Sequence, residues 1–155
     1  MDTINLKFNA KVKKVDVAFE RASSADDRVR ALDVTLEGIA PGKLIAPVFG
    51  CDYEVAAWFW SGEDQGPALA AVGPIKATST FSNVQCKLGG TKYNHTNLRN
   101  FVVRLVENES IQLSFIVRFV NLDEKAVGHL CSLYDEIAPV EINSAQRDAL
   151  DAAED

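Results

Sequence analysis

No apolar run in this 155-residue chain approaches the roughly 18 to 20 residues that cross a bilayer as a helix, so no membrane span is expected. The opening MDTINLKFNAKVKKVDVAFE lacks the apolar stretch and small-residue cleavage site of a secretory signal, which points to the cytoplasm. Cysteine is sparse: Cys51, Cys86 and Cys131 are widely spaced and form no CxxC pair. A zinc ribbon or dithiol redox centre is therefore not expected, and the three read as free, buried thiols in a reducing compartment. Histidine occurs only at positions 95 and 129. His129 and Cys131, two apart on an expected helix, point away from each other and make no nucleophile–base pair. The glycines show neither GxGxxG nor GxxxxGK[ST] order, so no phosphate cradle is indicated. The adjacent acids Asp26-Asp27, Glu63-Asp64, Asp123-Glu124 and Asp135-Glu136 read as solvated or capping groups. A non-enzymatic protein with no metal site and no cofactor is the expectation.

What remains is an ordinary globular composition, 47% hydrophobic and 25% charged, of a size that suits one domain over residues 1–143. Residues 144–155 (SAQRDALDAAED) hold a single bulky apolar residue, Leu150, and read as a short acidic tail. The net charge of −6 is unevenly spread. Residues 1–122 carry 14 Lys/Arg against 13 Asp/Glu, whereas residues 123–155 carry 2 against 9. Within the first part, residues 76–106 hold five cations and no carboxylate. That layout favours a charged partner over a uniformly repulsive surface.

Alternation of apolar and polar residues dominates the chain. Ile4, Leu6, Phe8, Ala10 and Val12 share one parity, and Val15, Val17 and Phe19 the other, so a β-bulge is expected at Lys13-Lys14. Residues 3–37 read as a long hairpin with a polar turn at 21–27. A connection follows over 39–50. A short helix capped by Asp52, or a strand through 55–60, carries Trp58, Phe59 and Trp60, and a loop occupies 61–67. Alternation returns from Ile75, changes parity at Ser82-Asn83 and stops at Gly89-Gly90. Leu98–Val106 and Ile111–Val120 form the clearest hairpin. A helix capped by Asn121 is expected to bury Ala126, Val127, Leu130, Leu133, Tyr134 and Ile137 on one stripe, to end at Pro139, and to be followed by a short strand over 140–142. Six or seven strands without βαβ rhythm predict a mainly β protein: an antiparallel barrel or curled sheet with one C-terminal packing helix.

The 76–106 stretch is the best functional lead. It interleaves Lys76, Lys87, Lys92, Arg99 and Arg104 with Tyr93 and His95, and with Phe81 and Phe101, which also suit a core. Cations along phosphates and aromatic faces under bases are the means by which small barrels hold single-stranded nucleic acid. Lys7, Lys11, Lys13 and Lys14 could widen that surface. The alternative is a protein-interaction module that buries Trp58, Phe59 or Trp60 against a partner. A homodimer is a further expectation, because strand edges invite pairing.

The segments INLKFNAKVKKVDVAFE, LDVTLEG, APVFG, VGPIKATSTF and VRFVNLDEKAVGHLCSLYDEIAPVEINSAQ together resemble small accessory proteins of tailed bacteriophages. The resemblance implies a role in phage replication or recombination, or in blocking a host defence protein, and it supplies no site residues. The expected partners are single-stranded DNA or, alternatively, a host or phage protein.

Overall fold

The computed structural model describes residues 4–21, 28–44, 48, 74–106 and 110–143, with backbone alone at 18–21 and 28–30. The acidic tail, Cys51, the elements expected over 52–67, and Trp58, Phe59 and Trp60 lie outside the described residues.

Seven strands form one antiparallel sheet: β1 (Asn5–Arg21), β2 (Arg28–Pro41), β3 (Ile75–Ala77), β4 (Phe81–Leu88), β5 (Thr91–Val106), β6 (Ser110–Phe119) and β7 (Ile137–Asn143). Among the described residues a 3-10 turn, Gly42–Leu44, follows β2, and a helix, α1 (Glu124–Ser132), precedes β7. The sheet closes on itself in the order β5-β4-β7-β1-β2-β6-β5, with β3 added to the second half of β5. Closure depends on β5 pairing twice: residues 91–98 face β4, and residues 97–106 face β6. The strand turns between these duties at Asn100, whose φ of 59° accompanies a register shift between Arg99 and Val102. The bulge expected in β1 falls between Val12 and Lys14, and that expected near Ser82-Asn83 falls between Phe81 and Val84. Such irregularities bend long strands enough to close a small ring.

The interior is filled by the inward residues of every long strand. Phe101 and Phe115 stack at 5.3 Å between centroids, and Phe8 meets Phe115 at 6.0 Å. Thr96, the one buried polar residue among those described, donates to the Val84 carbonyl at 2.9 Å. Gly38 lies flat against β1, where a Cβ would strike the Asn9 carbonyl. The described inward side chains pack into one apolar cluster.

The C-terminal elements differ from expectation. Asp123, not Asn121, caps α1, its carboxylate accepting from Ala126 N–H at 2.7 Å. The helix stops at Ser132, well before Pro139. Beyond it Asp135 adopts φ 64°, and Val12 takes both its backbone bonds from this turn, Val12 N–H to the Glu136 carbonyl and Asp135 N–H to the Val12 carbonyl. Ile137 and Tyr134, expected on the buried stripe, are 73% and 59% exposed. Pro139 sits inside β7, where its carbonyl accepts Gly89 N–H. Edge pairing with β1 thus overrides the helical period. Cys86 is buried as expected, and burial pushes its thiol up to about 12; Cys131, also expected to be buried, is exposed on α1. Among the described residues, no helix is long and apolar enough to cross a membrane.

Candidate nucleic-acid interface

The seven cationic and aromatic candidates of the 76–106 stretch divide between two sides of the ring. On one side, strand register aligns Lys92 of β5 with Lys87 of β4, Lys87 with Glu141 of β7, and Glu141 with Lys7 of β1. All four side chains are exposed. They stand there because the inward partners Cys86, Leu88, Val140, Ile142, Leu6 and Phe8 fix the parity of their strands. At roughly 4.8 Å per strand the row spans about 14 Å. A polar row runs beside it: Asn94, which accepts from Gln85 at 3.0 Å, then Gln85, Asn143 and Asn5. Lys43 extends the basic face, lining with Lys7, Glu141, Asn5 and Asn143 a hollow of ≈ 390 Å³.

At its other end the row runs into a cavity of ≈ 470 Å³ between the start of β5 and the first turns of α1. Its walls include Lys92, Lys125, His95, His129, Asn94 and Asn121. Asp123 also lines it, with one carboxylate oxygen already engaged as the helix cap. His95 adopts φ 60° within β5 and is tied through Nδ1 to the Asn83 side chain, itself at φ 59° on β4. Left-handed backbone at a non-glycine residue persists only where the surroundings hold it, and such positions gather at functional sites. Sequence reading singled out neither His129 nor Lys125 for this site, because their approach to β5 depends on where α1 docks.

Tyr93 corrects the expectation of a stacking platform. It is 9% exposed, packs edge-on against Phe119 at 4.9 Å, and brings its hydroxyl 2.6 Å from His129 Nδ1. With the phenol donating, His129 Nε2 carries the proton and faces Thr91 Oγ1 at 3.4 Å. Burial raises the Tyr93 pKa above its ordinary value, so the phenol stays neutral and available as a donor. Tyr93 anchors the cavity wall instead of carrying a base. Replacing Tyr93 by phenylalanine should cost about 1 kcal/mol in urea unfolding and shift the His129 imidazole resonances. Unchanged resonances would show that the hydrogen bond does not form.

The other side of the ring carries carboxylates among its cations. Arg99 of β5 and Arg118 of β6 both grip Asp33 of β2, at 2.9 Å and 2.8 Å. Hydrogen bonds from Arg118, reinforced by Arg99, hold the Asp33 carboxyl down at about 2 against the opposing effect of its burial. Arg99 is thus committed within the fold and is not a free phosphate contact. Arg104 lines a separate hollow with Glu37, which accepts from Gln112 at 2.7 Å. Lys76 is exposed on β3 opposite Val102, on this same half. Lys11 and Lys14 pair with Asp135 and Asp16, at 3.1 and 3.4 Å, and Lys13 falls in the β1 bulge beyond the last residue paired with β7, whereas Lys7 lies opposite Glu141 in the basic row. Among the described residues, no group of three or more His, Cys, Asp or Glu converges as a metal site would require.

No known protein family matches this sequence, and no curated protein or solved structure is significantly similar to it.

Proposed function

We propose that the protein is a non-enzymatic binder of single-stranded DNA, and that the strand runs across β1, β7, β4 and β5 toward α1. The observation that carries this reading is the alignment of Lys7, Lys87 and Lys92 on neighbouring strands, with Glu141 as the one carboxylate in the row. Lysine ammonium groups on flexible stems suit sequence-independent phosphate contact. The cavity beside Lys92 offers amide and imidazole groups at Asn94, Asn121, His95 and His129, which can hydrogen-bond the edge of an unpaired base. The resemblance to phage accessory proteins favours a role in replication or recombination.

Fluorescence anisotropy with a labelled oligothymidylate tests the proposal. With three to five cations on phosphates, log K should fall against log salt with a slope of roughly −2 to −3.5. Absence of binding at about 50 mM salt, or binding indifferent to salt, rejects it.

A further inference from the structure

Beyond Val12, β1 pairs with β2 alone among the described residues. β7 ends opposite Lys11, so residues 14–17 keep only residues 32–35 of β2 as strand partners; β6 ends opposite Leu32, so residues 18–21 and 28–31 continue as a two-stranded ribbon. Val12 is the last residue whose outer backbone groups are taken, both by the turn at 135–136. Among the described residues nothing pairs with the β1 edge past that point. Because Val12 turns its N–H and C=O away from β2, the alternation of antiparallel pairing, carried through the bulge, turns those of Val15, Val17 and Phe19 the same way. Val15 packs against the core, but Val17, two residues on along the same strand face, is 72% exposed.

We propose that a second copy of this chain occupies the edge, the two β1 strands pairing antiparallel about a two-fold axis at Val17. In that register Val17 faces its own counterpart and Val15 faces Phe19, all with outward backbone groups, giving about six hydrogen bonds between the chains. Lys14, 67% exposed, then stands opposite the position of Glu20, twice by symmetry. Sliding the pair by one step of the hydrogen-bond repeat in either direction sets Asp16 against Asp16, or Asp16 against Glu20. The Val17-centred register avoids both clashes and leaves its one like-charged pair, Lys13 with Arg21, at the outer ends. Charge complementarity therefore selects one pairing from the neighbouring ones, and it does so for a copy of the same strand.

Sedimentation velocity over about 1–100 µM should show a monomer–dimer equilibrium for the full chain. Under mild oxidation Val17→Cys should form a disulfide-linked dimer to a far greater extent than the parent chain treated alike, since Cα atoms across a hydrogen-bonded pair are about 5.5 Å apart. Lys14→Glu should weaken the dimer at least tenfold, and Lys14→Glu combined with Glu20→Lys should restore it, the rescue showing that the single variant still folds. A chain that stays monomeric throughout overturns the proposal. So does a dimer in which Val17→Cys does not cross-link, or one that Lys14→Glu leaves intact or the double exchange fails to rescue.

Discussion

Exchanging Lys87 and Lys92 together for glutamate should weaken oligothymidylate binding about a hundredfold at low salt, because two phosphate contacts are lost and two repulsions replace them. Both side chains are exposed, so the far-ultraviolet spectrum should hardly move, while Glu141 opposite Lys87 makes a row of three carboxylates and should lower stability by about 1 kcal/mol. The informative control is the exchange of Lys76 and Arg104. These belong to the same charged stretch of sequence, but they lie on the half of the ring that carries Asp33 and Glu37. Their replacement by glutamate should reduce affinity less than about threefold. Equal losses from the two pairs would mean that binding follows total charge and not the lysine row. No loss from either would dismiss the basic face as a binding surface. The salt slope supplies a second reading of the same experiment: it should flatten by about 1.4 for Lys87 and Lys92 and stay nearly constant for the control.

The second large effect is expected at Asp33, on the other half of the ring from the lysine row, where it is the shared partner of two arginines. Its side chain is only 15% exposed and receives hydrogen bonds from both Arg99 and Arg118. Asp33→Ala leaves two partly buried guanidinium groups facing each other across β5 and β6, at a cost of about 2–3 kcal/mol. For a chain of this length that lowers the melting midpoint by roughly 5–10 °C. The pH dependence follows from the depressed carboxyl. A group whose pKa falls from 3.8 to about 2 on folding contributes stability above the unfolded value and loses it as the pH drops through the folded one. The parent chain should therefore lose about 1–2 kcal/mol between about pH 4 and pH 2 through this residue. Asp33→Asn, which cannot ionise, should remove that part of the acid slope. An unchanged slope would show that Asp33 does not carry the charge assigned to it. Any gain in DNA affinity in Asp33→Asn would come from releasing Arg99, and it separates the structural role of that arginine from a binding one.

Strand parity made much of this architecture readable in advance. A side-chain period of two leaves a strand with one buried face, and the slips at Lys13-Lys14 and Ser82-Asn83 betray bulges because a single extra residue flips every later side chain. The same reading failed where a local pattern met a stronger tertiary claim. Leu133 packs against the core as its helical spacing with Leu130 requires, but Tyr134 and Ile137, on the same spacing, are exposed, because the backbone of 135–136 bonds to Val12 and draws Ile137 into β7. Tyr93 and Arg99 looked like surface groups because each sits among polar neighbours in the sequence. Their partners, His129 and Asp33, lie 36 and 66 residues away.

Alternation alone was enough to determine a mainly antiparallel β protein, the inward residues of most strands, and the bulges of β1 and β4, since each of these depends on neighbours within a few positions along the chain; the bend of β5 at Asn100 was not among them. The grouping of cations was settled only by closure of the sheet. Lys7 and Lys87 are eighty positions apart in sequence and become near neighbours because β7 pairs with both of their strands. Arg99 is drawn out of the basic set because β6 and β2 bring Arg118 and Asp33 beside it. Electrostatic interaction acts through distance in space, and that distance exists only once the ring has formed.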